Sequence, residues 1–392
     1  MHIVILTRVL PFHSIGGMQV ITWDLARAFV NKNIRVTCIT TSIADKPDEF
    51  EEDGVNIVAL PDTKSGCYTR NWWRKSKAYV AQHFLTDCDI CFSVSASGFS
   101  VVDLKKKMPT TCFVFQGHGT SLSEIVSKFR LHTVKSLLSS LKNIKWLPID
   151  LVKYQSFDGI IASGERVYKD LNGKFYQFTL KDMPLKYLPN GIFTDEFFPS
   201  NNLRREARNR LDIPNDELVF LLASRLHKQK GIQQALLGLE LLFEYCNKFK
   251  VVIVGDGPDE KDLKRFVSQS VLVGSVNFVG AVSINELPMY LNSADAYLFP
   301  TLHEEGLPLL PLEALACGIP VFASQHLSEI NKLDHVLPIN PRSPDSIRDA
   351  LLNFKNTMVA KTQQSLLPYK YSMEGVVEAY LNFFEEIKNA KK

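Results

Sequence analysis

The stretch Tyr297–Ser324 reads YLFPTLHEEGLPLLPLEALACGIPVFAS, and its punctuation decides how the chain folds. Tyr297–Phe299 is a short apolar run closed by Pro300, the pattern of a buried strand. Thr301–Pro308 is a polar loop holding Glu304, Glu305 and Gly306. Leu309–Cys317 reads as a short helix, with Gly318 as its stop and Pro320 just beyond. Pro320–Ser324 opens the next strand. Strand, loop, helix and strand make the βαβ unit of a parallel sheet.

In such a sheet ligands sit at the carboxyl ends of the strands, which is where the loop Thr301–Pro308 lies. That loop aims the amino end of the next helix at whatever binds there. The unshared N–H groups and the helix dipole favour an anion. Glu305 and Glu313 flank the spot with seven residues between them. Carboxylates do not bind phosphate; they accept hydrogen bonds from hydroxyls, as ribose and sugars present. An anion cradle beside two hydroxyl acceptors suits a nucleotide sugar. Glu313 alone would be read as an acid placed early in a helix for the dipole.

The whole run resembles the Glu-x7-Glu signature of retaining glycosyltransferases of the GT-B type, in the large family numbered four. The resemblance covers nearly the whole chain and is weaker between Asp62 and Asp158. It implies an α/β fold of two Rossmann-like, doubly wound parallel-sheet domains facing each other across a cleft.

Composition agrees with two domains. The chain has 392 residues, more than one core usually holds. It is 45% hydrophobic and 22% charged, an ordinary globular composition. A net charge of +3 is too small to argue for nucleic acid. No apolar run approaches the ~20 residues that span a bilayer. The opening MHIVILTRVLPF lacks a basic leader and is broken by Arg8 and Pro11, so it reads as a first strand and not a signal peptide. Cys38, Cys91 and Cys112 fall in apparent strands, where thiols act as small hydrophobes. Cys88-x-x-Cys91 has no second pair to complete a zinc site, and core packing is preferred to a redox role. The expected compartment is the reducing cytoplasm.

Along the chain, Ile3–Thr7, Arg35–Thr40, Val55–Leu60, Ile90–Ser95, Thr111–Phe115, Gly159–Ala162 and Lys186–Leu188 read as strands. A helix is expected over Met18–Val30. From Asn190 to Asp216 the texture turns polar and proline-rich around a short basic helix, which reads as a linker. Alternation then restarts at Val219–Ala223, Val251–Val254, Val276–Val279, Tyr297–Phe299 and Val321–Ala323. The expected domains are 1–197 on the acceptor side and 198–371 for the nucleotide sugar. The tail 372–392 is an amphipathic helix, and the resemblance returns it to the first domain.

Several residues carry the expected chemistry. Ser224–Gly231 follows the first strand of the second domain and resembles the family's Arg-x4-Lys-Gly element. The resemblance makes Arg225 and Lys230 a clamp on the donor diphosphate, one a bidentate fork and the other a point charge. Gly255-Asp256-Gly257-Pro258 is given a backbone role, and Asn277–Gly280 resembles the segment that reads the nucleobase. Gly16 and Gly17 permit close approach of ligand to backbone, and the resemblance sets that loop against donor phosphates and acceptor. His118, between Gly117 and Gly119, resembles the first-domain histidine that contacts the transferred sugar. With it, Glu305 is the expected catalytic residue. Gly306, Leu307 and Glu313 complete the expected substrate-binding set, Glu313 holding the ribose. Asp87-Cys88-Asp89 spells an Asp-x-Asp but precedes a strand, at the wrong end for a parallel-sheet site, so no metal is expected.

The chain departs from the family at QHLSEI, which lacks the usual Gly-Gly before Glu329, and at His303-Glu304. Two segments mix basic and apolar residues: Arg70–Lys77 with Trp72 and Trp73, and Lys128–Trp146. They read either as peripheral contact with anionic membrane on its inner face or as ordinary amphipathic helices on the core. The expected activity is retaining transfer of a hexose from a nucleoside diphosphate sugar, UDP ahead of GDP, to a hydroxyl of a glycan or lipid-linked glycan. No cofactor is called for. The rivals are a sugar-nucleotide epimerase of the same fold and a non-catalytic nucleotide-sugar-binding protein.

Overall fold

The computed structural model describes residues 1–14, 16–122, 125, 146–357 and 363–391. Of the basic run Lys128–Trp146, all but Trp146 lies outside the described residues. The chain forms two compact units, Met1–Gly191 with Met373–Lys392, and Ile192–Ser372.

In the first unit the strands are β1 (His2–Leu6), β2 (Arg35–Thr41), β3 (Glu49–Glu52), β4 (Val55–Leu60), β5 (Ile90–Val94), β6 (Cys112–Gly117), β7 (Gly159–Ala162) and β8 (Leu185–Tyr187). They form one sheet in the order β3-β4-β2-β1-β5-β6-β7-β8. All neighbours are parallel except β3, which runs antiparallel on β4. β1, β5, β6 and β7 are buried along their whole length, as strands covered on both faces must be. Sequence order reverses at β1, which has β2 on one side and β5 on the other. That is the switch point of a doubly wound sheet.

In the second unit the strands are β9 (Leu218–Ala223), β10 (Phe249–Val254), β11 (Val276–Gly280), β12 (Ala296–Phe299), β13 (Val321–Ser324) and β14 (Val336–Ile339). The all-parallel order is β11-β10-β9-β12-β13-β14, so this sheet switches between β9 and β12.

Two strands go beyond the sequence reading. β3 is Glu-Phe-Glu-Glu, with one apolar side chain to signal it, and it survives as an exposed edge. β14 contains Pro338, which demotes a run to an edge strand, and an edge is where it sits.

The middle of the stretch read as a linker, already inside the expected second domain, is a built part of that unit. The helix Asn201–Arg210 is anchored in the second unit. Arg208 is 0% exposed; its guanidinium donates to Asp295 Oδ2 at 2.9 Å and to the carbonyls of Ser293, Pro214, Asn215 and Glu217. Arg204 takes Asp295 Oδ1 at 2.6 Å. A polar composition there hides a buried ion-pair network.

The helix Met373–Lys391 packs in the first unit, burying Val376, Val377, Tyr380, Phe383, Phe384 and Ile387. Cys88 and Cys91 are buried free thiols, and burial pushes Cys91 well above its usual range. Such thiols are inert packing groups.

Candidate active site

The site of the second unit grows from its switch point. The loops after β9 and β12 are knitted together there. Leu302 N donates to Gln229 O at 2.7 Å and Thr301 Oγ1 to the same oxygen at 3.1 Å. Gly231 has φ +66°, and a Cβ there would lie 1.9 Å from Pro300 O, so glycine is required. Gly255, at φ +123°, likewise closes on Ser224 O and supports the loop that carries Arg225.

Lys230 Nζ donates to Glu305 Oε1 at 2.7 Å, and Thr301 Oγ1 donates to the same oxygen at 2.9 Å. The sequence reading put these two side chains on different parts of one ligand; the structure pairs them. Glu305 Oε2 meets no protein donor among the described residues, and Lys230 Nζ keeps two further protons. Arg225 is exposed and makes no side-chain ion pair among the described residues. This corner therefore offers two cations and one carboxylate oxygen with no protein donor among the described residues.

The helix Leu309–Ala316 starts without a side-chain cap. Pro308 at the cap and Pro311 in the first turn carry no N–H, so Leu309 and Leu310 supply the unshared amides. Gly306 is exposed, and a Cβ on it would meet nothing within 4 Å. Leu307 is only 6% exposed and sits in the hydrophobic core. With its side chain packed inward, what Leu307 can offer a ligand is its backbone. Glu313 is also 6% exposed. It lies near Tyr297, whose buried phenol is pushed well above its usual range by desolvation first and then by Glu313 and Glu305. Tyr297 donates its hydroxyl to Ala223 O at 2.8 Å, tying β12 to the end of β9.

His118 follows β6 in the first unit. Its Nε2 lies 3.1 Å from Gln116 Oε1 and its Nδ1 lies 3.2 Å from Ser163 Oγ. Gln116 Nε2 donates to Tyr380 Oη at 2.7 Å. With the amide turned that way, Nε2 carries the ring proton. Burial pushes the imidazole down to about 4, so it is neutral near pH 7. Gly16 caps the helix Gly17–Asn31 in extended backbone, and a Cβ on Gly17 would meet nothing within 4 Å. The sequence reading did not single out Gln116, Ser163, Tyr380, Thr301 or Tyr297. The one available signal was Gln116, a polar residue inside an apolar strand.

The Asp-x-Asp serves structure. Asp87 pairs with Arg35, and Asp89 accepts from His2 N at 2.8 Å and from Lys388 at 3.3 Å. Among the described residues no group of three or more His, Cys, Asp or Glu could hold a metal ion. The helix Arg70–His83 lends no support to membrane contact. Trp72 and Trp73 donate inward to Ser97 O and Ala96 O, and Lys75 and Lys77 pair with Asp62 and Asp103. Among the described residues no helix is long and apolar enough to cross a membrane.

Known proteins agree with this architecture. A mannosyltransferase of Mycobacterium tuberculosis, named as GDP-mannose-dependent and acting on phosphatidylinositol monomannoside, is 32% identical over 43% of this chain and 46% of its own length. The chain thus spans about half of that relative. An uncharacterised glycosyltransferase of Methanocaldococcus jannaschii, MJ1607, is 29% identical over 98% of each chain. Among solved structures, Anabaena Alr3699/HepE in complex with UDP superposes with a TM-score of 0.73 at 14% identity, over 98% of this chain and 100% of that one. A model described as Glycosyltransferase Family 4 matches residues 15–196, and one described as Glycosyl transferases group 1 matches residues 204–356. Both units are accounted for, and the chain belongs to the GT-B glycosyltransferases of family 4.

Proposed function

We propose that the protein transfers a hexose from a nucleoside diphosphate sugar to a hydroxyl of a glycan or lipid-linked glycan, with the anomeric configuration retained. The observation that carries this reading is the Lys230–Glu305 pair at 2.7 Å. A donor's scissile bond joins a sugar to a phosphate. A cation for the phosphate held against an acceptor for sugar hydroxyls matches that junction. In this reading Arg225, Lys230 and the Leu309 and Leu310 amides hold the diphosphate, and Glu313 holds the ribose. Glu305 and His118 take the sugar hydroxyls, with Gly16 and Gly17 on the acceptor side. The anomeric carbon–phosphate oxygen bond breaks and a bond to the acceptor oxygen forms on the same face. The departing diphosphate takes the acceptor's proton. Two side-chain cations and a helix end neutralise that leaving group without a metal.

UDP-hexose is the donor we place first. GDP-mannose is second, because the mycobacterial relative is named for it. The test is a panel of UDP- and GDP-hexoses in thermal denaturation, since the true donor raises the midpoint by mass action. Transfer to mono- and disaccharide acceptors follows, with the product anomer read by NMR. An inverted product overturns retention. Conversion of the donor to its epimer without acceptor would favour an epimerase, and binding without turnover a non-catalytic role.

A further inference from the structure

Arg8 lies two residues past β1, at the switch point of the first sheet. Its guanidinium carbon lies 4.8 Å from the centroid of the Tyr68 ring. Among the described residues no carboxylate pairs with it, and its Nε, shut from solvent, has no acceptor. A half-buried guanidinium of this kind is uncommon, because buried charges are normally paired. Other half-buried cations of this unit have a carboxylate: Lys75, Lys105 and Lys153 an aspartate and Lys186 a glutamate.

The surroundings hold Arg8 in place without satisfying it. Thr41 Oγ1 donates to Arg8 O at 2.7 Å and accepts from Gly66 N at 2.9 Å, locking the loops after β1 and β4 together. Tyr68 Oη is 3.3 Å from Ser97 Oγ, on the turn after β5. Trp73 stands parallel to Tyr68, with ring centroids 6.3 Å apart and planes 6° apart, and Trp146 meets Trp73 edge-on at 6.0 Å. β1 and β5 are the two strands of the switch point, where doubly wound sheets bind ligands. A preset fork of donors beside half-buried aromatic faces fits an oxyanion carried on a sugar ring.

We infer that Arg8, Tyr68 and Trp73 form a subsite for an anionic sugar, bearing either a carboxylate or a phosphate, which makes the acceptor glycan acidic. Only the word acceptor rests on the transferase reading; the binding itself does not.

The test measures binding in the absence of donor, by calorimetry and by tryptophan fluorescence. The probes are methyl glucuronide for the carboxylate, glucose 6-phosphate for the phosphate and methyl glucoside as the neutral control. The expected result is that one or both acids bind, the neutral sugar binds at least about tenfold more weakly, and the tighter acid names the source of the charge. Arg8→Met keeps an apolar stem on Tyr68 and should weaken the acid about tenfold or more. Arg8→Lys keeps the charge without the fork and should fall between. Nucleoside diphosphate binding, read in parallel, should be unchanged in both variants. Equal binding of acid and neutral sugar, or no acid binding by the wild type, overturns the inference. Undiminished acid binding in Arg8→Met or Arg8→Lys overturns it too. Loss of nucleotide binding in step with acid would assign Arg8 to the donor and overturn it as well. A donor panel that finds no donor, with acid binding intact, would sink the transferase reading alone.

Discussion

Gln116 Nε2 lies 2.7 Å from Tyr380 Oη, although the two residues are 264 positions apart. The contact joins β6 to the carboxy-terminal helix and fixes which face of the Gln116 amide meets His118. Tyr380 is therefore a positioning residue for the imidazole. Tyr380→Phe should cost about 1 kcal/mol of stability, the usual worth of one hydrogen bond. It should also lower kcat several-fold with donor KM unchanged, and shift the His118 ring signals in NMR. A stability change with no movement of those signals would reduce Tyr380 to a packing residue.

His118 gives a pH signature whose sign follows from its depressed value. Burial holds the folded ring down to about 4, against an ordinary 6.5. Between those values the unfolded chain binds the proton and the folded one does not. Stability from this group is thus complete above pH 6.5 and is lost as pH falls toward 4. His118→Gln should flatten the stability–pH slope in that window. An NMR titration placing the ring near 6.5 would show the assignment wrong.

The Asp295 network supports the second unit. Asp295→Asn removes the charge that faces Arg204 and the fully buried Arg208. Breaking a buried pair from one side costs roughly 3–5 kcal/mol. The four carbonyls on Arg208 place this case toward the lower end. Urea midpoints for Asp295→Asn and Arg208→Met should both fall clearly, and an unchanged midpoint in Asp295→Asn would contradict this account.

What the sequence revealed depends on where the information sits. Apolar runs bounded by Gly and Pro gave nearly every buried strand, because covering both faces of a parallel strand forces a continuous apolar pattern. β3 and β14 escaped because edge strands need no such pattern. The candidate residues Arg225, Lys230 and Glu305 stood out from motifs, but the ion pair between two of them did not. That pair depends on how the loops after β9 and β12 close on Gly231. Tyr380 and Arg8 were illegible for the same reason, since each matters through a partner far along the chain, and Gln116 showed only as a polar residue in an apolar strand, without its partner. The burial of the Leu307 side chain was not legible either, because a motif position does not say whether a side chain or a backbone faces a ligand.

Glu305 and Glu313 share a motif, yet their settings predict different losses. Glu305 is in a loop, with Oε1 held by Lys230 and Thr301. In the proposed function its remaining oxygen takes hydroxyls on the reacting sugar, whose charge changes in the transition state. Glu313 is inside a helix, 6% exposed, on a rigid element. A ribose contact made from there is equal in ground and transition states. Losing an interaction that strengthens only in the transition state lowers kcat, whereas losing uniform binding raises KM. Glu305→Gln keeps the shape and an acceptor for Lys230, so the fold should hold while kcat falls about ten- to a hundredfold, the worth of one charged hydrogen bond. Glu313→Gln should raise donor KM with a smaller change in kcat. The measurement is kcat and KM with donor titrated at saturating acceptor, beside thermal midpoints for both variants. Equal falls in kcat with no difference in KM would mean that the two carboxylates act as one catalytic pair.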